Sequence, residues 1–333
     1  MRKNERRIGG AIFPKVLATG ALVTMLCSMA PANIYADSVD TASQDVTRTG
    51  GEYTYNVNSS SPYPGVTIDN DKISYDLPGI NNKNVGVYKQ LDLYINGTRA
   101  RANGFVINST VYLPARVFFE SLGAKVTYSS STKTLSVSAA GLEFSATDGG
   151  FVTYANARPL FSFGKTVIMS DGRMYIPASA LTKASGTAFT KDKSSVHVTG
   201  KLSPLLSADK YYRSDEVFWL ARIITAEARG ESLLGQIAVG NVIMNRVASS
   251  LYPNTIYGVI FDRKWGVQFS PVLDGSIYNT PTYTATLAAQ ICLEGLRLSD
   301  DAMFFLNPVT AESNWIIKSR EYLYSIGGHD FYR

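Results

Sequence analysis

Glu227, Arg229 and Glu231 fall together in AEARGE, at the end of a stretch that is otherwise apolar at helical spacing. Val217, Leu220, Ile224 and Ala228 recur every three or four residues, which predicts a helix with one buried face that stops near Gly230. That helix is expected to bury Phe218, Leu220, Ile223 and Ile224. Glu227 lies three residues after Ile224 and one before Ala228, at the edge of the buried face rather than on its solvent side. A carboxyl so placed can be desolvated, which disfavours its charged form and suits an acid; the spacing alone fits an ordinary helix-end carboxylate as well. Arg229 does not oppose the effect, because residues two apart on a helix point to different sides.

The chain offers few competing chemistries. Its imidazoles are His197 and His329, too few and too far apart for a zinc peptidase or a copper site, so no metal and no cofactor is expected. Cys292 lies between Ile291 and Leu293 in a helical pattern and reads as a small buried hydrophobe rather than a nucleophile. Glu231, four residues after Glu227, would approach it if the helix continued, but Gly230 breaks the helix and a supporting role is expected. Asp274, in VLDGS, is another candidate and fits a turn more readily. His329, in GGHDFY, lacks the partners of a metal ligand and is expected to make structural hydrogen bonds.

These residues need elements to hold them. Ser214 or Asp215 can cap the first helix, Ser232 to Ser250 forms a second, and Pro281 to Leu296 a third, with Thr280 as its cap and Pro281 in its first turn. The Gly- and aromatic-rich stretch between the second and third suits a groove built from loops.

Upstream, Arg2, Lys3, Arg6 and Arg7 precede the apolar run VLATGALVTMLCSMA, which reads as a signal peptide over residues 1–36 with cleavage after Ala36. Cleavage would remove Cys27, leave Cys292 without a disulfide partner, and leave no stable membrane span. Residues 37–85, rich in Ser, Asn, Asp and Gly, read as a flexible or weakly structured leader. Between 86 and 201 there are thirteen Lys/Arg and six Asp/Glu, a cationic block that suits anionic wall polymers as well as it suits a solubilising surface. These charges are dispersed, without the clustered Arg and aromatic residues of a nucleic-acid interface, so no nucleic-acid partner is expected.

Residues 86–198 alternate as short strands and contain an internal repeat. TVYLPARVFFESLGAKVTY at 110–128 overlies RMYIPASALTKASGTAFTK at 173–191, with Pro114 on Pro177 and Gly123 on Gly186. Each copy predicts a strand ending at Pro, a helix stopped at Gly, and another strand. Asn-Gly and Asp-Gly pairs in the segments that precede suit hairpin turns. Residues 199–215 read as a linker, and 216–333 as the last domain.

The block at 86–198 resembles the copper amine oxidase N-terminal domain, a non-catalytic stalk, which implies a spacer or wall-binding module and no oxidase chemistry. LARIITAEARGESLLGQIAVGNVIMNRV, YPNTIYGVIF, VQFSPVLDG, AMFFLNP and IGGHDFY, in that order, resemble the SleB/CwlJ family of cell-wall hydrolases across nearly all of 216–333. The two resemblances together imply an α+β multidomain protein, a β-rich repeated stalk-like domain followed by a mostly α-helical, lysozyme-like catalytic domain. The second implies cleavage of peptidoglycan glycan strands between N-acetylmuramic acid and N-acetylglucosamine, with lytic transglycosylase activity, by a secreted protein acting at the cell wall or spore cortex.

The family's essential Glu falls on Glu227. Gln268, Phe269 and Ser270 fall where lysozyme-like enzymes place a substrate-facing strand or loop. Phe304, Phe305 and Asn307 resemble the aromatic-plus-Asn segment that lines the cleft floor, where the family often has Tyr. Trp315 and Trp265 can stack on sugars or fill core. A true hydrolase and a catalytically silent wall-binding protein remain open alternatives. The family's spore enzymes often carry a helical peptidoglycan-binding repeat upstream, so the stalk-like block here leaves vegetative wall as a substrate beside cortex.

Overall fold

The structure, a computed structural model, describes residues 89–107, 110–168, 171–311 and 315–333, together with the backbone of four short strands between residues 47 and 75. The segment read as a signal peptide lies outside the described residues.

The stretch read as a weakly structured leader departs from that expectation. Strands Thr47–Thr49, Glu52–Asn56, Lys72–Tyr75 and Thr67–Asp69 pair antiparallel in that spatial order. Alternating Thr, Tyr and Ile in segments such as EYTYN favour strands despite the polar average of the region.

In the stalk-like block, strand Lys89–Ile95 turns at Asn96-Gly97, both with positive φ, into Thr98–Arg99. This is the backbone that an Asn-Gly hairpin requires. The companion hairpin Val152–Ala155 to Arg158–Phe161 turns at Asn156-Ala157, again with positive φ. An Ala in that conformation gave no turn signal in the sequence. Residues 110–129 and 173–191 each run strand, helix, strand: Thr110–Pro114, Ala115–Ser121 and Lys125–Ser129 in one, Met174–Pro177, Ala178–Ser185 and Ala188–Lys191 in the other. Pro114 and Pro177 stand at the helix N-caps, ending their strands, and the two strands pair antiparallel with Ile176 opposite Leu113. Gly186 closes the second helix at φ +70, where a Cβ would collide with the backbone of Ser203. Leu113, Phe118, Phe119, Ile176 and Leu181 are fully buried beneath the strands.

The last region packs helices Ser214–Ala228, Leu233–Ala248 and Tyr283–Leu293 around Leu220, Ile223, Ile224, Ile237, Val242 and Ile291. Its helices are joined by an antiparallel sheet in the order Phe304–Leu306, His329–Tyr332, Tyr322–Ile326. Two helix starts differ from expectation. Arg213 stands at the N-cap of Ser214–Ala228 with no side-chain cap bond, and Asp215 instead pairs with its guanidinium at 2.9 Å. Thr282, not Thr280, caps the third helix, accepting from the Ala285 amide at 3.2 Å. Phe218 is half exposed rather than buried, two residues before Leu220 and so on a different side of the helix, and lies under the Arg222 guanidinium. Cys292 is buried, as expected.

The stalk-like block and the helical region share a buried ion pair. Glu294, just past the third helix, accepts from Arg158 Nε at 2.7 Å and Nη2 at 2.9 Å, from Tyr212 Oη at 2.6 Å, and pairs with Lys183 at 2.9 Å. Arg158 and Glu294 are both 4% exposed. Phe151 joins the helical core, and Phe161 and Phe163 pack against it.

Candidate active site

Helix Ser214–Ala228 carries Glu227 in its last turn, and Ser232 starts the next helix by accepting from the Gly235 amide at 3.2 Å. The corner between them is tight. The Glu231 amide donates to Ala228 O at 3.0 Å, and Gln236 Nε2 donates to Glu231 O at 2.9 Å. A Cβ at Gly235 would lie 3.0 Å from Cβ of Glu231, so glycine there lets the Glu231 side chain lie against the second helix.

Glu227 is half-buried and has no hydrogen-bond or ion-pair partner among the described residues. Burial raises its carboxyl from 4.5 to about 7; the His329 charge opposes the rise and the Asp274 charge adds to it. A carboxyl in this condition is protonated at neutral pH and has no internal acceptor for its proton, as a general acid requires.

Glu231 is placed differently. Its two oxygens accept from the Gly328 amide at 3.1 and 3.3 Å, and Oε1 lies 3.5 Å from His329 Nδ1. Burial alone would raise its carboxyl, but the His329 and Gly328 contacts outweigh it and hold the group below its ordinary range. Two carboxyls four residues apart are thus pushed in opposite directions by their surroundings, the pattern that separates acid from anion in glycosidases. His329 itself is 8% exposed, with the edge of Phe305 against its ring at 5.4 Å between centroids.

The other candidates divide. Asp274 ends helix Pro271–Asp274 and accepts from the Ser276 amide at 2.8 Å; this bond and a Ser276 side-chain bond hold its exposed carboxyl low, so it is a turn residue as well as a charge acting on Glu227. Gln268 and Ser270 lie on the loop before that helix, Gln268 donating to Gly266 O at 3.0 Å. Phe269 is corrected: at 4% exposed it is a core side chain, stacked 6.5 Å from Phe305, and cannot face a substrate. Phe304 and Phe305 are half-buried on the edge strand, and Asn307 accepts from the Val309 amide at 2.9 Å. Trp315 is 53% exposed, edge-on to Phe304 at 6.0 Å, with Arg320 over both rings. Trp265 is 59% exposed beneath Lys264.

Sequence reasoning missed the polar residues that position the edge strand. Asn241 and Asn245, inside the second helix, bind the backbone of residues 296–302, with Asn241 Nδ2 2.8 Å from Leu296 O and Asn245 Nδ2 2.8 Å from Ser299 O. Arg246 donates to Met303 O at 2.8 Å while its buried guanidinium lies against Tyr252, Phe269 and Phe304. The signal was present: Asn at i and i+4 followed by Arg in an otherwise apolar helix has to find polar partners.

Comparison with known proteins bears on the two regions separately. The cell wall hydrolase family matches residues 230–332, and the copper amine oxidase N-terminal domain matches residues 94–199, so the chain carries a cell wall hydrolase domain after a stalk-like one. Glu227 stands three residues before the matched segment. Among relatives, the chain is 41% identical over 120 residues to a spore cortex-lytic enzyme of Bacillus cereus, covering 36% of this chain and 45% of that one. It is 39% identical over 120 residues to a spore cortex-lytic enzyme of Bacillus subtilis, covering 36% and 38%. The chain therefore spans less than half the length of these curated relatives. Among solved structures, the catalytic domain of the germination-specific lytic transglycosylase SleB of Bacillus anthracis is 40% identical, with 37% of this chain and 97% of that one covered and a TM-score of 0.34.

Proposed function

We propose that the C-terminal region cleaves peptidoglycan glycan strands between N-acetylmuramic acid and N-acetylglucosamine as a lytic transglycosylase, with Glu227 as acid and then base. The observation that carries this reading is the half-buried, unpartnered Glu227 carboxyl, held protonated up to about pH 7. Glu227 gives its proton to the departing glycosidic oxygen. It then takes the proton of the muramic acid 6-hydroxyl as that oxygen attacks C1, closing a 1,6-anhydro ring, so one carboxyl performs both transfers.

A true hydrolase would call on a second carboxylate to activate water. Glu231 has its oxygens engaged by Gly328 and His329, and Asp274 is bound into a turn. Both observations favour the single-carboxyl route.

Gln268, Ser270, Phe304, Phe305, Asn307 and Trp315 are proposed to contact the glycan. Localisation follows the same reading: the protein acts outside the cell, on wall or cortex, and no helix among the described residues is long and apolar enough to cross a membrane. The cationic block at 86–198 is proposed to hold anionic wall polymers.

The test is Glu227→Gln, which keeps the shape of the side chain and removes its proton chemistry. Suspended peptidoglycan should lose turbidity with wild type and not with the variant, while co-sedimentation of protein with wall material stays the same. Turbidity loss at the wild-type rate with the variant would rule out the assignment, and equal inactivity of both would favour a wall-binding protein.

A further inference from the structure

The His329–Glu231 pair is separated by almost one hundred residues of sequence, and nothing in the mechanism above uses it. The pair is nevertheless a constructed feature. Glu231 grips the 327–329 turn twice, through the Gly328 amide at 3.1 and 3.3 Å and through His329 Nδ1 at 3.5 Å. Gly328 leaves room for this grip, since a Cβ there would lie 3.0 Å from Glu231 Oε1 and 3.2 Å from Asn307 Nδ2. His329 Nδ1 is buried, with no hydrogen bond shorter than that ion-pair distance to fix the ring otherwise. Phe305 closes the other side of the ring edge-on.

Resting on the proposed glycan cleavage, we propose that Glu231 is a positioning residue: by gripping the Gly328 amide and the His329 ring, it holds an ionisable imidazole within electrostatic reach of Glu227 and balances that imidazole's charge. Among the described residues, two charged groups act on Glu227. They are Asp274, from the helix Pro271–Asp274, and His329, from the C-terminal strand, and their effects are opposed. Burial and Asp274 favour the protonated acid, whereas an imidazolium favours the carboxylate. A group that must give a proton and then take one back works best near the operating pH, so a counterweight to burial is needed, and His329 supplies it. Glu231 does not touch substrate in this scheme. It acts through His329, which the 327–329 turn brings to the helix corner.

The experiment measures the initial rate of muropeptide release from purified peptidoglycan against pH, using the whole chain as wild type, Glu231→Gln and His329→Gln. Activity should fall on the alkaline side as Glu227 loses its proton. Where the imidazole carries a proton, removing it or the carboxylate that supports its charge should move the alkaline limb upward by about one unit, the size of effect one nearby charge produces. The double variant should move it no further.

A purely structural pair would lower the rate at every pH and leave the limb in place, and that result would overturn the inference. Were Glu231→Gln to fail to fold, His329→Gln alone would decide, because it leaves the Gly328 contact intact. A wild-type protein that releases no glycan-cut product would refute the cleavage reading instead, which separates the two failures.

Discussion

Replacing Glu227 with Gln should stabilise the protein while abolishing its chemistry, and the stabilisation should depend on pH. In the folded chain the carboxyl titrates near 7 rather than at its ordinary 4.5, chiefly because burial penalises its charge. At roughly 1.4 kcal/mol per unit this corresponds to about 3 kcal/mol. The sign follows from proton binding. Between pH 4.5 and about 7 the folded state holds a proton that the unfolded state has released, so stability falls as pH rises through this window and levels off above it. Gln has no such dependence. The variant should therefore match wild type at pH 4 and exceed it by about 3 kcal/mol at pH 8. Urea unfolding of both proteins at pH 4, 6 and 8, followed by tryptophan fluorescence, measures the difference. Parallel stability curves across this range would refute the argument that burial holds Glu227 protonated. Glu231 provides a control of opposite sign: its carboxyl is held low, so its contribution is present above pH 4.5 and lost as pH falls below it. Glu231→Gln should cost about 1–3 kcal/mol at pH 7 and less at pH 3.

Other substitutions test the supports of the site. Glu294→Ala leaves the buried Arg158 guanidinium without its partner and takes an acceptor from Tyr212, so it should destabilise by about 3–5 kcal/mol in thermal or urea unfolding. Gly328→Ala places a Cβ 3.0 Å from Glu231 Oε1 and should cost about 1–3 kcal/mol while slowing muropeptide release. Gly240→Ala, whose Cβ would lie 2.7 Å from Cys292 Sγ between two core helices, should cost a similar amount through overpacking. Trp315→Ala removes an exposed ring that meets the edge of Phe304 and the Arg320 guanidinium. It should leave stability within about 1 kcal/mol and weaken binding to wall material by up to about tenfold in co-sedimentation.

Local patterns carried the parts of this architecture that depend on local physics. The period of Leu220, Ile224 and Ala228 placed Glu227 at the edge of a buried helix face, and the structure has it half-buried there. Pro followed by a helix and Gly correctly bounded both short helices of the stalk-like block. Periodicity was too coarse at the next level. It counted Phe218 with the buried face although it is nearly half exposed, and it set the third helix's cap at Thr280 where Thr282 holds that place. Composition misread residues 37–85, where alternation within four-residue segments outweighed the polar average. Long-range meetings were not legible at all. Nothing in AEARGE or GGHDFY states that Glu231 and His329 pair, because their approach is set by the docking of the C-terminal sheet on the helix corner. The same holds for Arg158 and Glu294, which join two regions that composition separates with a linker.

Whether one carboxyl performs both proton transfers is read from the products of digestion. Purified vegetative sacculi and spore cortex should be digested separately with wild type and with Glu227→Gln, and the soluble muropeptides weighed by mass spectrometry. Wild type should yield 1,6-anhydro-muramic ends, lighter by one water than hydrolysed ends, and the variant none. Reducing ends carrying that water would contradict the single-carboxyl reading and require a second group, besides Glu227, to activate water.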